Sequence, residues 1–444
     1  MSLSIGKKTL IWLLLLSALL PYHLKQAAKI DPLVTEGTTI NISYGIIGLC
    51  LVLILGNALR SRQTRELIAE AVRNNRFVLF YCFWLVLGQL IGLLAGSRIR
   101  INDFVLASAY SIAAFTGFYA IPAMLRAKGI PFLFRSILII SLPVALLGLY
   151  ASITEAQSVF GITLRSKGLI PWLGLYETAG PFYELNTFGF VVAMGFWSAL
   201  YFARSANLRG ASGIAATYYV YALLLLVAVI VSWSRAMYLA IGIGLLFIAL
   251  FRNRTTLQNL GFLVLLTIVA YVGVSLSTTE VGSSLLQVQV GLGRRDILWL
   301  AALRAMLVEP LFGYGFQQGA NYLAMFEFID LSWKGSLMGA HNAFLDLGVK
   351  GGVLLPLFYI GAIIVSLKHV LKKSKSIPSN LSTIQELRKT VLVLTLTAII
   401  GTTFISYSLG GLGFASITLT VVFGICSLWP QYSAEMNLNQ KAAI

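Results

Sequence analysis

Time after time along this chain, about twenty consecutive residues are apolar with no regular alternation, and no other feature limits the fold so strongly. A helix of that length matches the ~30 Å hydrocarbon core of a bilayer. Strands of a membrane barrel would alternate apolar and polar side chains, and these runs do not, so each is read as a helix that satisfies its own backbone groups. Twelve such runs can be read, at residues 9–27, 40–58, 77–96, 103–125, 131–152, 186–203, 214–232, 235–251, 257–276, 343–367, 390–408 and 412–429. With 58% hydrophobic and 11% charged residues, an ordinary soluble globule is excluded. The expected fold is an all-α polytopic membrane protein with about 12 transmembrane helices. The first run follows Lys7 and Lys8 and has signal-peptide features, with a cleavage site readable near Ala27 or Ala28. It is taken as a retained helix, because an even number of spans keeps the charge pattern consistent.

Charge supplies an orientation. With Met1 in the cytoplasm, the loops and termini on that side hold 21 of the 33 basic residues, among them Lys7, Lys8, Arg60 to Arg76, Arg126, Lys128 and Lys368 to Lys389. They hold only four of the 16 acidic residues, so that side carries the whole net charge of +17. This is the positive-inside pattern, and the basic balance needs no nucleic-acid partner. Both termini are then cytoplasmic. Cys50, Cys82 and Cys426 all fall inside apolar runs, as buried small side chains and not as disulfides or metal ligands.

The same topology divides the chain into 1–152 (helices 1–5), a first outer loop at 153–185, 186–276 (helices 6–9), a large outer loop at 277–342, and 343–444 (helices 10–12 with a cytoplasmic tail). Long loops on a rigid scaffold are where function concentrates. In the large loop, the run from Arg295 to Leu307 consists of good helix formers, stopped by Glu309-Pro310 and the turn Gly313-Tyr314-Gly315. It is too short and too charged to cross, and is expected to lie on the outer face as a lid over the bundle. The aromatic residues of the first loop suit a position at the headgroup level.

Three histidines can take or give a proton near neutral pH. His23 lies near the end of the first run and His369 among cytoplasmic lysines, which suits interfacial or solvated roles. His341 stands where the charged loop meets an apolar helix, with Asn342 beside it, so it is either a helix cap or a proton acceptor. Arg235, in Ser232-Trp233-Ser234-Arg235, sits in a turn joining two apolar runs with almost no loop. Such an arginine either snorkels to headgroups or binds a buried anion. Arg295 and Arg165 are expected on the same side, and arginine forks suit bidentate binding of phosphate. These residues suggest a phosphate-bearing substrate handled by acid–base chemistry. The outer acids Glu177, Glu184, Glu280, Asp296, Glu309, Glu327 and Asp330 are scattered singly, and no metal-ligand or nucleotide-loop motif occurs, so no metal and no cofactor are expected.

Read in order, Asn186-Thr187-Phe188-Gly189, Ser234-Arg235, Arg295 with Trp299, Pro310-Leu311-Phe312-Gly313-Tyr314-Gly315, and His341-Asn342 followed by Gly352 resemble the O-antigen ligase and polymerase superfamily. The resemblance covers about residues 160–352, and Lys350 departs from it where such proteins often carry an acidic residue. It implies a multi-helix fold like that of the class C glycosyltransferases, with a large periplasmic loop of short helices, in the bacterial inner membrane. The implied activity is inverting, metal-independent transfer of O-antigen polysaccharide from undecaprenyl pyrophosphate to lipid A-core on the periplasmic side. Arg235, Arg295 and Arg165, with Asn342, would hold the pyrophosphate, and His341 would accept the proton of the attacking hydroxyl.

The acceptor distinguishes readings within the resemblance. A sugar of lipid A-core makes a ligase, a second lipid-linked glycan an O-antigen polymerase, and a protein hydroxyl a protein O-oligosaccharyltransferase. The ligase is preferred for a chain with twelve spans and no added soluble domain. A flippase or transporter for lipid-linked glycans is the rival from another class. Such proteins place polar groups near the midplane, often in repeated halves, whereas here they gather at one face.

Overall fold

The computed structural model describes residues 5–19, 36–159, 162–170, 173–182, 184–250, 295–316, 340–372, 382–404 and 408–441. The apolar run expected at 257–276, the segment around His23, Ala27 and Ala28, and most of the large loop lie outside the described residues.

Fifteen helices are described: α1 (Ile5–Ser17), α2 (Glu36–Arg60), α3 (Arg62–Asn74), α4 (Arg76–Leu94), α5 (Ile101–Phe115), α6 (Ile121–Thr154), α7 (Leu185–Leu208), α8 (Ser212–Val231), α9 (Arg235–Leu250), α10 (Arg295–Val308), α11 (Ala343–Gly351), α12 (Leu354–Leu371), α13 (Ser382–Phe404), α14 (Phe414–Ser427) and α15 (Trp429–Lys441). Among the described residues, six helical stretches are long and apolar enough to cross a membrane, or up to eight when each bent pair is taken as one span. The protein is an all-α polytopic bundle.

The stretch from Ile101 to Thr154 is helical through 54 residues. At ~1.5 Å per residue this is more than twice the hydrocarbon thickness. It is divided at Arg126, whose φ of 52° and ψ of −177° are not helical. The sequence predicts a loop between runs ending at 125 and starting at 131, and the break falls there on one residue. A π-helical segment, Thr116–Ala120, joins α5 to α6 and is buried. At the other end of the chain's first third, α3 turns by 106° from α2 after Ser61, whose side chain accepts the Thr64 N–H. Thr64, Ile68 and Ala71 form its buried face, so the basic stretch Arg60 to Arg76 is an amphipathic helix and not an open loop.

Small residues let these helices approach closely, as expected where apolar burial cannot drive helix association. Gly424 of α14 lies against the π segment, and a Cβ there would stand 2.1 Å from the Phe118 carbonyl oxygen. Polar side chains then tie the interior: Trp197 Nε1 donates to Thr397 Oγ1 at 2.9 Å, and Asn75 Nδ2 donates to the Ala362 carbonyl at 2.9 Å.

The first loop holds two antiparallel ribbons, β1 (Ser158–Val159) with β2 (Ile162–Thr163) and β3 (Arg165–Ile170) with β4 (Leu175–Gly180). α10 does not cross the bundle. It packs on α11, and with the Tyr314 turn these form a second, smaller apolar cluster centred on Leu298, Ala301, Ala305, Tyr314 and Val349.

Replacing Gly424 by alanine forces a side-chain carbon onto a carbonyl that belongs to rigid backbone. Gly424→Ala is expected to cost about 1–3 kcal/mol, read as a lower thermal midpoint in detergent. Gly213→Ala, where nothing lies within 4 Å of the new carbon, is expected to be neutral or slightly stabilising in the same assay.

Candidate functional site

The described residues singled out from sequence fall in two groups, one where α6 passes to α7 and α8 to α9, the other at the start of α11. The first group is built on the turn between α8 and α9. Trp233 takes a left-handed φ of 50°, which brings Ser234 towards α7. Ser234 Oγ donates to Asn186 Oδ1 at 2.8 Å, and the Ser234 N–H reaches Ser232 Oγ at 3.3 Å. Gly189, one turn into α7, permits this contact, since a Cβ there would be 2.8 Å from Ser234 Cβ. The two sequence patterns Asn186–Gly189 and Ser232–Arg235 are thus two sides of one joint.

Arg235 is the first residue of α9 and is exposed. A cation at a helix N-terminus opposes the helix dipole. Among the described residues no carboxylate pairs with it. The guanidinium and the leading N–H groups of α9 therefore present donors and positive charge together, an arrangement suited to an anion.

The hairpin of β3 and β4 flanks the same helix end, packing on both α6 and α7. Arg165 opens β3 opposite Gly180, is half-buried, and its carbonyl accepts from Thr178 Oγ1 at 3.1 Å. The hairpin is fixed to α6 by Ser152 Oγ, which donates to the Tyr176 carbonyl at 2.6 Å. A hydrogen bond to the Glu155 carboxylate, and that group's charge, raise the Tyr176 hydroxyl above its ordinary range.

The second group is α11 and what holds it. Nine residues make too short a helix to persist on propensity alone. Asn342 caps its N-terminus, Oδ1 accepting from the Phe344 and Leu345 N–H groups at 3.0 and 3.2 Å. That side-chain oxygen is committed to the cap, which leaves the amide nitrogen as the donor Asn342 could offer a substrate. His341 precedes it, half-buried, with φ of 49°. Left-handed backbone costs a non-glycine residue about 1–2 kcal/mol, and histidine is among the residues that adopt it more often. Ala340 is held at both backbone groups: its N–H donates to Asp346 Oδ1 at 2.7 Å, and its carbonyl accepts from Trp299 Nε1 at 2.9 Å. Among the described residues, His341 itself has no side-chain hydrogen bond.

At the C-terminal end of α11, the Tyr314 and Gly315 N–H groups donate to the Val349 and Lys350 carbonyls at 2.8 and 3.0 Å. Trp84 Nε1 donates to the Gly351 carbonyl at 3.2 Å, and Gln89 Nε2 lies 3.2 Å from the Phe312 carbonyl and 3.3 Å from that of Lys350. Gly313 and Gly352 have φ of 65° and 83°, and a Cβ on Gly352 would stand 2.0 Å from the Leu311 carbonyl oxygen. The run expected as one helix over 343–367 is therefore two helices broken at Gly352, because left-handed backbone there cannot continue a right-handed helix. Asp103, fully buried, accepts the Arg100 N–H at 2.9 Å and lies against Gly315, while Arg98 sits over the Tyr314 ring at 5.4 Å. Burial raises the Tyr314 hydroxyl above its ordinary range, and the charge of Arg98 acts against that.

A small pocket of about 20 Å³ opens beside α11. Ala343, Asp346, Leu347 and Lys350 form one wall, and Tyr110, Phe316 and Ser408 face them.

Arg295 is the first residue of α10, four positions before Trp299; its side chain is outside the described ones. Arg235 and His341 head two helices, α9 and α11, that both pack against α13. Trp84, Gln89 and Asp103 were not among the sequence candidates. Their signal was present as polar groups inside or at the end of apolar runs, which are costly unless paired. Among the described residues, no three His, Cys, Asp or Glu side chains gather as a metal site.

The fold defines an all-α polytopic membrane protein, with Arg235 and His341 each placed just where a helix begins. A family model described as O-Antigen ligase matches residues 220–360, from α8 through Arg235, α10 and His341 into α12, and this segment is similar to that family. No curated protein matches the chain. The family supports glycosyltransferase activity of the ligase or polymerase type, with lipid-linked polysaccharide substrates and membrane lipids as partners.

Asn342→Ala removes the cap of α11 and is expected to lower stability by about 1 kcal/mol, measured by thermal unfolding in detergent. Asn342→Asp retains a capping oxygen and is expected to restore the parent's midpoint.

Proposed function

We propose that this chain is an inverting, metal-independent O-antigen ligase, which transfers polysaccharide from undecaprenyl pyrophosphate to lipid A-core at the periplasmic face of the bacterial inner membrane. The observation that carries this reading is His341, fixed in a left-handed backbone between a double-held Ala340 and the cap of α11, within the matched family segment.

His341 takes the proton of the acceptor hydroxyl as its oxygen forms a bond to the anomeric carbon. The bond from that carbon to the pyrophosphate oxygen breaks, the electron pair leaves with the lipid pyrophosphate, and a single displacement inverts the configuration. Arg235, Arg295 and Arg165 hold the pyrophosphate and stabilise its growing charge, with Asn342 contributing its amide nitrogen. The exposed Arg235 at the head of α9 supports its role, since among the described residues no carboxylate pairs with it and its donors face outward. The basic excess of the opposite loops supports a site outside the cytoplasm.

The test is a transfer assay with purified protein, a lipid-pyrophosphate-linked donor and three acceptors side by side: lipid A-core, a second lipid-linked glycan, and a protein hydroxyl. Product on lipid A-core is expected, reduced about 10²–10⁴-fold in His341→Ala. Chelator is expected to leave the rate unchanged. Undiminished product from His341→Ala sinks the proposed base, preference for the second glycan makes the chain a polymerase, and preference for the protein hydroxyl makes it a protein O-oligosaccharyltransferase. Arg235→Ala is expected to cost about 10²–10³-fold in kcat, and Arg235→Lys only partly to recover it, because an ammonium lacks the bidentate fork.

A further inference from the structure

We infer that Asp346 and Trp299 are positioning residues, which set the catalytic backbone of His341 by holding Ala340 from both sides. The inference rests on the reading of His341 as the base.

Asp346 lies in the first turn of α11, is 6% exposed, and turns back along the helix, so that its Oδ1 accepts the Ala340 N–H at 2.7 Å. Trp299, in the middle of α10, donates its ring N–H to the carbonyl of the same residue at 2.9 Å. The Ala340 carbonyl belongs to the peptide that carries the His341 nitrogen. On the other side, Asn342 is fixed by its own cap, and its carbonyl accepts the Asp346 N–H at 2.9 Å. The peptides before and after His341 are therefore both fixed, and a left-handed φ persists only where its surroundings over-determine it. Released from Ala340, the residue would relax to ordinary backbone and its ring would lose its fixed place.

Asp346 has another obvious partner and does not take it. Lys350 is four residues on, on the same helix face, and the two line one cavity wall, yet no ion pair joins them within 4 Å. The carboxylate is directed at backbone instead. A buried acceptor that faces an N–H needs an oxygen, not a charge or a proton, and this separates a positioning role from acid–base chemistry.

The experiment uses the full-length protein in nanodiscs with the transfer assay above. Asp346→Asn, which retains an acceptor oxygen, is expected to stay close to the parent. Asp346→Ala and Trp299→Phe are expected to lower kcat about 10- to 100-fold with KM little changed, the loss typical of a misplaced reacting group. Folding is controlled by thermal midpoint, and Trp299→Phe keeps the ring's packing. Hydrogen–deuterium exchange of the peptide containing the Ala340 amide provides a readout that does not depend on the reaction. That amide is expected to be protected in the parent and in His341→Ala, and to exchange faster in Asp346→Ala. An inactive Asp346→Asn would overturn the inference by showing that the carboxylate itself is used. Parent-like kcat in both Asp346→Ala and Trp299→Phe would overturn it too, as would an Ala340 amide whose exchange ignores Asp346. Full activity in His341→Ala with the amide still protected would instead remove the base and leave the clamp as structure.

Discussion

Everything at this end of the protein depends on satisfying the backbone of a helix too short to hold itself. A nine-residue helix next to apolar surroundings leaves its first N–H and last carbonyl groups without partners, and each one unpaired in a membrane costs several kcal/mol. The chain meets this with its own Asn342 at the start and with the Gly313–Gly315 turn, Gln89 and Trp84 at the end, while Trp299 holds Ala340 just before the cap. The site is in this sense a by-product of capping. A histidine placed one residue before such a cap inherits its rigidity.

The bundle was legible from the sequence because apolar runs report directly on the solvent around them. Runs at 77–96, 186–203 and 214–232 correspond to α4, α7 and α8 within a few residues. What hydropathy could not show was backbone geometry inside a run. The stretch 343–367 reads as continuous because Gly352 is as apolar as its neighbours, yet its left-handed φ divides α11 from α12. The ribbons β3 and β4 escaped for a related reason: their bulged register interrupts the alternation by which strands are recognised.

Within the site, residues were legible where their chemistry is rare and hidden where their role is only a contact. His341 and Arg235 stood out as unusual side chains at the ends of apolar runs. Asp346 did not, because its meaning lies in a hydrogen bond to the residue six places before it. Gln89 and Trp84 meet α11 across more than two hundred residues of chain, a distance no local pattern spans. Lys350 departs from the pattern of the resemblance, and here α11 is held through main-chain carbonyls while the side chain at 350 lines the pocket.

The Gly313-Tyr314-Gly315 turn has a mechanical consequence. Its two N–H bonds to α11, with the Trp299 bond further along, make the loop helix α10 and the histidine helix a single plate. A hinge inside that plate would have to break main-chain bonds in a poorly hydrated setting. α10, the turn and α11 are therefore held as one piece, and His341 keeps its place relative to all three.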